Sequence, residues 1–222
     1  MILLFSGGID SFVAYHYLGK PETVYFNLHT KYSRKEMTVV KSLIPNTIIE
    51  DCINFESREE ADTAFVPYRN LHLALLANKY SNTIVIAGLK DDMVNDKNEA
   101  VFLQFSRLMS DMMGRNISVT SPFWNMTKAD VVKWYLNNGG TKEDLLMTIS
   151  CYSKENVRYC GQCPACFRKW NALQANGVTD LHFYNTELMR KYFEDAVNCK
   201  YDRDRNFSII REVLKVHPEW GE

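Results

Sequence analysis

The sequence predicts an α/β protein: a parallel five-stranded sheet with helices on both faces, followed by a small zinc-binding helical segment. Three observations predict it. Short apolar runs alternate with stretches of helical spacing through the first 140 residues, the pattern of a parallel sheet covered on both sides. The first run leads directly into Ser6-Gly7-Gly8-Ile9-Asp10-Ser11, a glycine turn where such sheets bind ligands. Four of the six cysteines, Cys151, Cys160, Cys163 and Cys166, fall within sixteen residues. The expected division is a sheet domain over 1–145 and a zinc-binding, helical segment over 146–222 packed on it.

The elements follow in order. "MILLF" reads as a buried strand, and "IDSFVAYHYL" after it has helical spacing. "TVYFNLH" (23–29) is the second strand. "SRKEMTVVKSLI" (33–44) is a helix, with Ser33 as its N-cap and Glu36 completing a capping box. "NTIIEDCI" (46–53) is the third strand, and "PYRNLHLALLANKY" (67–80) a helix with Pro67 near its start. "TIVIAGL" (83–89) and "NISVTSPF" (116–123) are strands on either side of the helix "NEAVFLQFSRLMSDMM" (98–113). "TKADVVKWYLNNGG" (127–140) is a helix capped by Thr127 and stopped by glycine. Beyond the cysteines, "FRKWNALQAN", "TELMRKYFEDAV" and "DRNFSIIREVLKV" read as helices, and the charge between Glu187 and Arg211 as a solvated face.

Bulk properties bound the function. The 222 residues are 46% hydrophobic, enough for one sizeable core. Lys+Arg 26 against Asp+Glu 27 leaves a net charge of -1, which argues against a nucleic-acid partner. No apolar run approaches the roughly 20 residues of a membrane span, and "MILLFSGG" lacks a charged leader. The expectation is a soluble, cytoplasmic protein with no membrane partner; a homodimer is left open.

The glycine turn has a physical reading. Backbone N–H groups in such a turn converge on one concavity, and the helix behind adds its positive end, so the turn suits an anion. Gly7 and Gly8 allow close backbone approach, Ser6 and Ser11 can donate hydroxyls, and Asp10 suits a helix cap or a magnesium ion better than a phosphate. No Gly-Lys-Ser/Thr follows, so this is not a Walker A loop, and it is not GxGxxG.

The cysteine spacing is C-x8-C-x2-C-x2-C, with Gly161 and Pro164 supplying the turn. Four thiolates close a tetrahedral zinc site with no open position, so the expected zinc is structural. Cys52, placed in a strand, reads as core filler, and Cys199 has no partner motif. The five histidines are scattered without metal-ligand spacing.

SGGxDS resembles the pyrophosphate loop of the PP-loop ATP-pyrophosphatase superfamily. Taken with the cysteine pattern, "FNLHTKYSRKE", "VPYRN" (66–70), "SPFWNMTKADVV" and "SCYSKENVRYCGQCPACFRKW", the chain resembles the 7-cyano-7-deazaguanine synthase family from residue 1 to about 180. "GLKDDMVNDKNEAVF" is shorter than the family's usual stretch after strand 4 and lacks its cysteine and arginine. The chain also runs further past the zinc segment than the family pattern does.

The resemblance implies a Rossmann-like, adenine nucleotide alpha hydrolase-like fold and an ATP-dependent C–N ligase in queuosine biosynthesis. That enzyme converts 7-carboxy-7-deazaguanine and ammonia to the nitrile through adenylated acid and amide, releasing AMP and pyrophosphate. ATP and Mg2+ would be bound, with Zn2+ structural. Phe5, Ser6, Gly7, Gly8, Asp10, Ser11 and Gly88 would line the nucleotide site, with the backbone of Phe26, Asn27 and Leu28 holding adenine. Ser6, Asp10, Arg69 and Lys128 would serve catalysis, the last two by binding carboxylate or phosphate oxygens. Asp91 and Asp92 could meet magnesium or the purine edge. The competing readings are another superfamily enzyme, amidating a different acid or modifying RNA, and a zinc-ribbon nucleic-acid module on an inactive nucleotide fold.

Overall fold

The apolar run at the N-terminus becomes the central strand of the sheet. In the computed structural model, which describes the chain apart from residues 61–64, 93–94, 154–157, 162, 180–185, 201–202 and 222, β1 (Ile2–Leu4) pairs in parallel with β2 (Glu22–Phe26) on one side and β4 (Thr83–Val85) on the other. β3 (Ile48–Glu50) and β5 (Ser118–Thr120) complete the order β3-β2-β1-β4-β5. The expected fold class is therefore observed. Strand order reverses between β1 and β4, so the chain ends beyond those two strands face one crevice.

Alternation along the strands divides the core. Leu3, Phe5, Tyr25 and Val85 pack with α1 (Ile9–Tyr17), α2 (Ser33–Leu43) and α5 (Lys128–Asn137) on one face. Ile2, Leu4, Val24, Phe26 and Ile84 pack with α3 (Arg69–Ala77) and α4 (Glu99–Met113) on the other. The first core continues through α7 (Pro164–Gln174) into Met189, Phe193 and Ala196 of α8 (Thr186–Val197) and Ile209 and Val213 of α9 (Arg203–Val216). Trp170 of α7 stacks on His217, which stacks on Trp220, fixing the end of α9 to the zinc-segment helix. Among the described residues, no helix is long and apolar enough to cross a membrane.

The capping signal at α5 holds, and α4 has a side-chain cap as well. Asn98 Oδ1 accepts from the Val101 N–H at 3.0 Å, and Thr127 and Asp130 form a reciprocal capping box. The signal at α2 does not. Its cap is Tyr32, and no side chain caps it. Ser33 Oγ instead accepts from the Thr30 N–H at 2.9 Å, and Glu36 turns inward to accept from Tyr25 Oη at 3.2 Å. Tertiary partners outbid the local box. The strands are shorter than their apolar runs because the residues beyond them stay buried without continuing the ladder: Gly88 bonds to Ser121 Oγ through both its N–H (2.9 Å) and its C=O (2.7 Å). α3 starts two residues after Pro67, past Tyr68 at φ 57. Cys52 lies beyond β3 and is exposed, so it fills no core. α6 (Lys142–Met147), capped by Thr141, is too short for helical periodicity to reveal.

Gly88 has a packing reason. A Cβ there would lie 2.2 Å from the Trp124 ring, which in turn meets Phe102 edge-on. Gly88→Ala is expected to lower stability by about 1–3 kcal/mol, a Tm loss of several degrees by calorimetry; an unchanged Tm would show that Trp124 moves aside freely.

Candidate active site

The glycine turn sits at the C-terminal end of β1, in the crevice. Gly7 adopts φ 74, where other residues are strained. A Cβ on Gly8 would press to 3.3 Å from the Ile149 carbonyl. The Gly7 carbonyl accepts from the Ile149 N–H at 2.8 Å, so the turn is braced by the segment leading to Cys151. The N–H groups of Gly7 and Gly8 donate to no described group. Ser11 is buried and its Oγ is spent inside the turn, accepting from the Ser6 N–H (3.3 Å) and donating to the Gly8 carbonyl (3.1 Å). Ser6 is exposed. The Ser6 hydroxyl lies 3.4 Å from Ser11 Oγ and keeps a solvent-facing side, so two open amides and an exposed hydroxyl at a helix start fit a polyphosphate.

Asp10 caps nothing; it pairs with Lys128, the first residue of α5. Asp10 and Lys128, 118 positions apart, are thus brought together at the mouth of the turn, with side chains 21% and 10% exposed. The Lys128 N–H donates to Asp91 Oδ1 at 3.2 Å. From the other side Arg168 of α7 reaches Asp91 Oδ2 at 3.3 Å and Asp92 Oδ1 at 2.9 Å, and Lys97 holds Asp92 Oδ2 at 2.7 Å. Burial alone would push the Asp92 carboxyl up; Lys97 and Arg168 reverse this and hold it well below the usual carboxylate range. Burial likewise opposes the Arg168 charge, and Asp91 and Asp92 more than restore it. Asp91 and Asp92 are therefore a braced wall. Asp10, in the first turn of α1 beside the glycine turn, is the most exposed of the three carboxylates. Behind Lys128 a space of about 30 Å³, lined by Asp91, Arg168, Asn171 and Glu212, has room for one water.

Past β2, the Asn27 N–H is taken by the Glu50 carbonyl (2.8 Å) and the Leu28 carbonyl by the Phe55 N–H (2.9 Å). The Leu28 N–H remains the open backbone donor. A cavity of about 270 Å³ opens between Asn27, His29 and Thr30 on this stretch and Ser33, Arg34 and Met37 of α2. Asp51 accepts from Asn27 Nδ2 at 3.2 Å and pairs with His29, which holds the cavity wall in place. Phe5 and Phe26 are buried core side chains, so only their backbone could face a ligand.

Arg69 opens α3 on the opposite face of the sheet from α5 and is half-buried. Its neighbours are Tyr32, Tyr152, Glu36 and Asp96. Burial pushes the Glu36 carboxyl up to about 7, with Arg69 and the Tyr25 hydrogen bond pulling it part of the way back. Its ordinary value is 4.5, so the folded state binds this proton more tightly than the unfolded chain. The resulting stability is fully present below pH 4.5 and is lost as pH rises through 7. Wild type minus Glu36→Gln stability should fall by ~3 kcal/mol between pH 4 and pH 8 in urea titrations; a flat difference would refute it.

The four cysteine sulfurs lie within 4.8 Å of one another. A tetrahedral Zn2+ with bonds of 2.3 Å sets its sulfurs about 3.8 Å apart, so the cluster fits the ion with small adjustment. The neighbouring Cys163 and Cys166 thiols hold the Cys151 thiol far below the ordinary range, and Cys151 in turn pushes Cys163 up to about 11. Ser153 and Cys160 N–H groups also point at Cys151 Sγ, at 3.4 and 3.3 Å, the usual second layer around a bound thiolate. Cys163 caps α7, Pro164 is its first residue and Gly161 turns at φ 66, as the spacing required. Two residues past Arg168 lies the fully buried Trp170, and between them Lys169, also fully buried, donates to the Thr148 carbonyl (2.7 Å) and hydroxyl (2.8 Å). The cysteine cluster and the glycine turn are thus joined by α7 and by residues 148–151.

Sequence reasoning missed Lys97, Tyr32, Glu59 and Lys169, whose roles arise only from packing. Comparison with known proteins bears on the whole arrangement. The family model described as Queuosine biosynthesis protein QueC matches residues 27–177, more than half of the chain. The chain belongs to the QueC family. The match leaves out β1 with the glycine turn at one end and α8 and α9 at the other. A protein of Sulfolobus acidocaldarius named 7-cyano-7-deazaguanine synthase is 30% identical over 222 residues, covering 81% of this chain and 46% of that protein. One of Sulfurisphaera tokodaii, named 7-cyano-7-deazaguanine synthase 2, is 28% identical with the same coverage. One of Archaeoglobus fulgidus, also named 7-cyano-7-deazaguanine synthase, is 29% identical over 81% of this chain and 87% of that protein. The chain spans about half the length of the first two of these QueC-family relatives.

Proposed function

We propose that this QueC-family chain is an ATP-dependent ligase that converts 7-carboxy-7-deazaguanine and ammonia to 7-cyano-7-deazaguanine, acting on free small molecules in the cytoplasm. The observation that carries the reading is the meeting of the open-amide glycine turn with the Asp10–Lys128 pair at the reversal of strand order. The relatives' names supply the substrate class.

The amides of Gly7 and Gly8, the Ser6 hydroxyl and the start of α1 would hold the β- and γ-phosphates. Adenine would enter the cavity after β2, against the Leu28 N–H. Attack of the substrate carboxylate on the α-phosphorus forms the acyl adenylate and expels pyrophosphate. Negative charge grows on the departing oxygen, where the turn's N–H groups and the Lys128 ammonium can stabilise it. Ammonia then displaces AMP to give the amide. A second ATP adenylates the amide oxygen; loss of AMP and the remaining amide proton leaves the nitrile. Activation is needed because hydroxide is a poor leaving group, whereas AMP is a good one. The thiolates of Cys151, Cys160, Cys163 and Cys166 would hold a structural zinc, whose contribution is to fix α7 and hence Arg168.

The test is incubation of the protein with the acid, ammonia and ATP, with products read by mass spectrometry and nucleotides by ion-exchange chromatography. Nitrile with AMP and pyrophosphate is expected. Amide alone would mark a member that stops after the first activation, the stretch from Asp91 to Glu99 being the place where this chain departs from the family pattern. ADP and phosphate would overturn the PP-loop chemistry.

A further inference from the structure

The active-site crevice accounts for its own charges, but a second polar cluster does not. Tyr32 is 4% exposed, and its Oη has no hydrogen-bond partner among the described residues. The Glu59 side chain is 6% exposed; its Oε2 accepts from the Lys31 N–H at 2.9 Å, while Oε1 accepts no hydrogen bond, with Lys31 Nζ 3.8 Å away. The Arg69 backbone N–H donates to the Val66 carbonyl at 3.3 Å, but its guanidinium makes no hydrogen bond or ion pair with any described residue. These groups come from three separate segments, yet they share one neighbourhood: both Arg69 and Glu59 act electrostatically on Tyr32 and on Glu36. Glu36 itself is satisfied by Tyr25.

A buried polar atom without a partner is costly, and such atoms are few in a folded protein, so each calls for an explanation. Two of them beside an unpaired guanidinium define what that ligand must carry. Glu59 Oε1, fixed by the backbone bond to its twin oxygen, needs an N–H donor. Arg69 needs an anion. Tyr32 offers a hydroxyl and, with Tyr152 at 5.4 Å between ring centroids, an aromatic wall. A fused heteroaromatic ring with an N–H edge at one end and a carboxylate at the other meets all three demands.

We propose that Glu59, Tyr32 and Arg69 form the pocket that reads the ring of the substrate acid: Glu59 takes the N1–H and exocyclic amine edge, Tyr32 lies against the ring and Arg69 takes the carboxylate. The inference rests on the functional reading above and moves base recognition away from Asp91 and Asp92, whose oxygens are already held by Lys128, Arg168 and Lys97.

Calorimetric titration of the full chain tests it with two acids: 7-carboxy-7-deazaguanine and the same molecule lacking the exocyclic amine. Wild type should bind the first at least ~10-fold more tightly, the loss expected for one unpaired edge. In Glu59→Gln, the Oε that faces the backbone N–H stays an acceptor, so the amide NH2 meets the ligand's N–H groups. Affinity for the natural acid should fall ~10-fold or more, and the preference between the two acids should collapse. In Arg69→Met both acids should weaken together with the preference kept. Zinc content and Tm confirm that each variant is folded. A wild type with no preference, or a folded Glu59→Gln that keeps it, overturns the assignment while leaving the ligase reading intact. A wild type that binds neither acid overturns the ligase reading and this pocket with it.

Discussion

Replacing Cys163 by Ser is expected to release zinc and to remove most of the soluble, folded protein. Cys163 has two roles. As the N-cap of α7, Cys163 accepts from the Cys166 N–H at 3.4 Å, and serine would do this as well or better. As a thiolate ligand it cannot be replaced by a hydroxyl. The loss therefore falls on the metal, and structural zinc supplies folding energy on the order of 10 kcal/mol in small domains. Here α7 carries Phe167, Trp170 and Leu173 into the main core, where all three are buried, so an unfixed knuckle loosens the core as well as the site. Elemental analysis and calorimetry check this, with exposed Cys52→Ser as the control that keeps zinc and Tm. A zinc-free wild-type preparation with an unchanged Tm would overturn it.

The parts of this molecule legible in the sequence are those specified locally. The alternation of apolar runs and helical spacing reveals the parallel sheet, and the order of elements places the glycine turn at the reversal of strands. Thr127 caps its helix as read because the N–H donor it accepts from lies three residues on, at Asp130. Cys160, Cys163 and Cys166 are close in sequence, so their spacing reports their geometry. What was not legible was set by partners far along the chain. Ser33 and Glu36 have the local form of a capping box, but Thr30 and Tyr25 claim them. In sequence Asp92 could equally meet magnesium or the purine edge or be solvated in its loop; its side chain is 4% exposed because Arg168, 76 positions away, and Lys97 close over it. Cys52 looks like core filler in an apolar run, but its strand ends at Glu50. Glu59 belongs to no motif, and Tyr32 sits in "FNLHTKYSRKE" without any sign of its role; only burial without a partner among the described residues singles them out.

Lys128→Met should lower AMP and pyrophosphate formation by ~100–1000-fold, the loss typical for one preorganised group facing developing charge. Two effects are mixed in this variant. The ammonium that would meet the departing pyrophosphate is gone, and Asp10 is left as a carboxylate in a largely closed crevice without its partner. The second effect alone should lower stability, because a half-broken pair strands a charge. Combining it with Asp10→Asn separates the two. The double variant removes both charges, so most of the lost Tm should return. Activity should not return, because neither methionine nor asparagine can meet the phosphate charge or a magnesium ion. If turnover recovers with stability, Lys128 is a structural counter-ion to Asp10 and the chemistry lies elsewhere in the crevice. If Tm is unchanged in the single variant while turnover collapses, the pair stabilises nothing by itself and Lys128 acts only on the nucleotide. The expected result lies between: Tm lost in the single variant and regained in the double, with turnover lost in both.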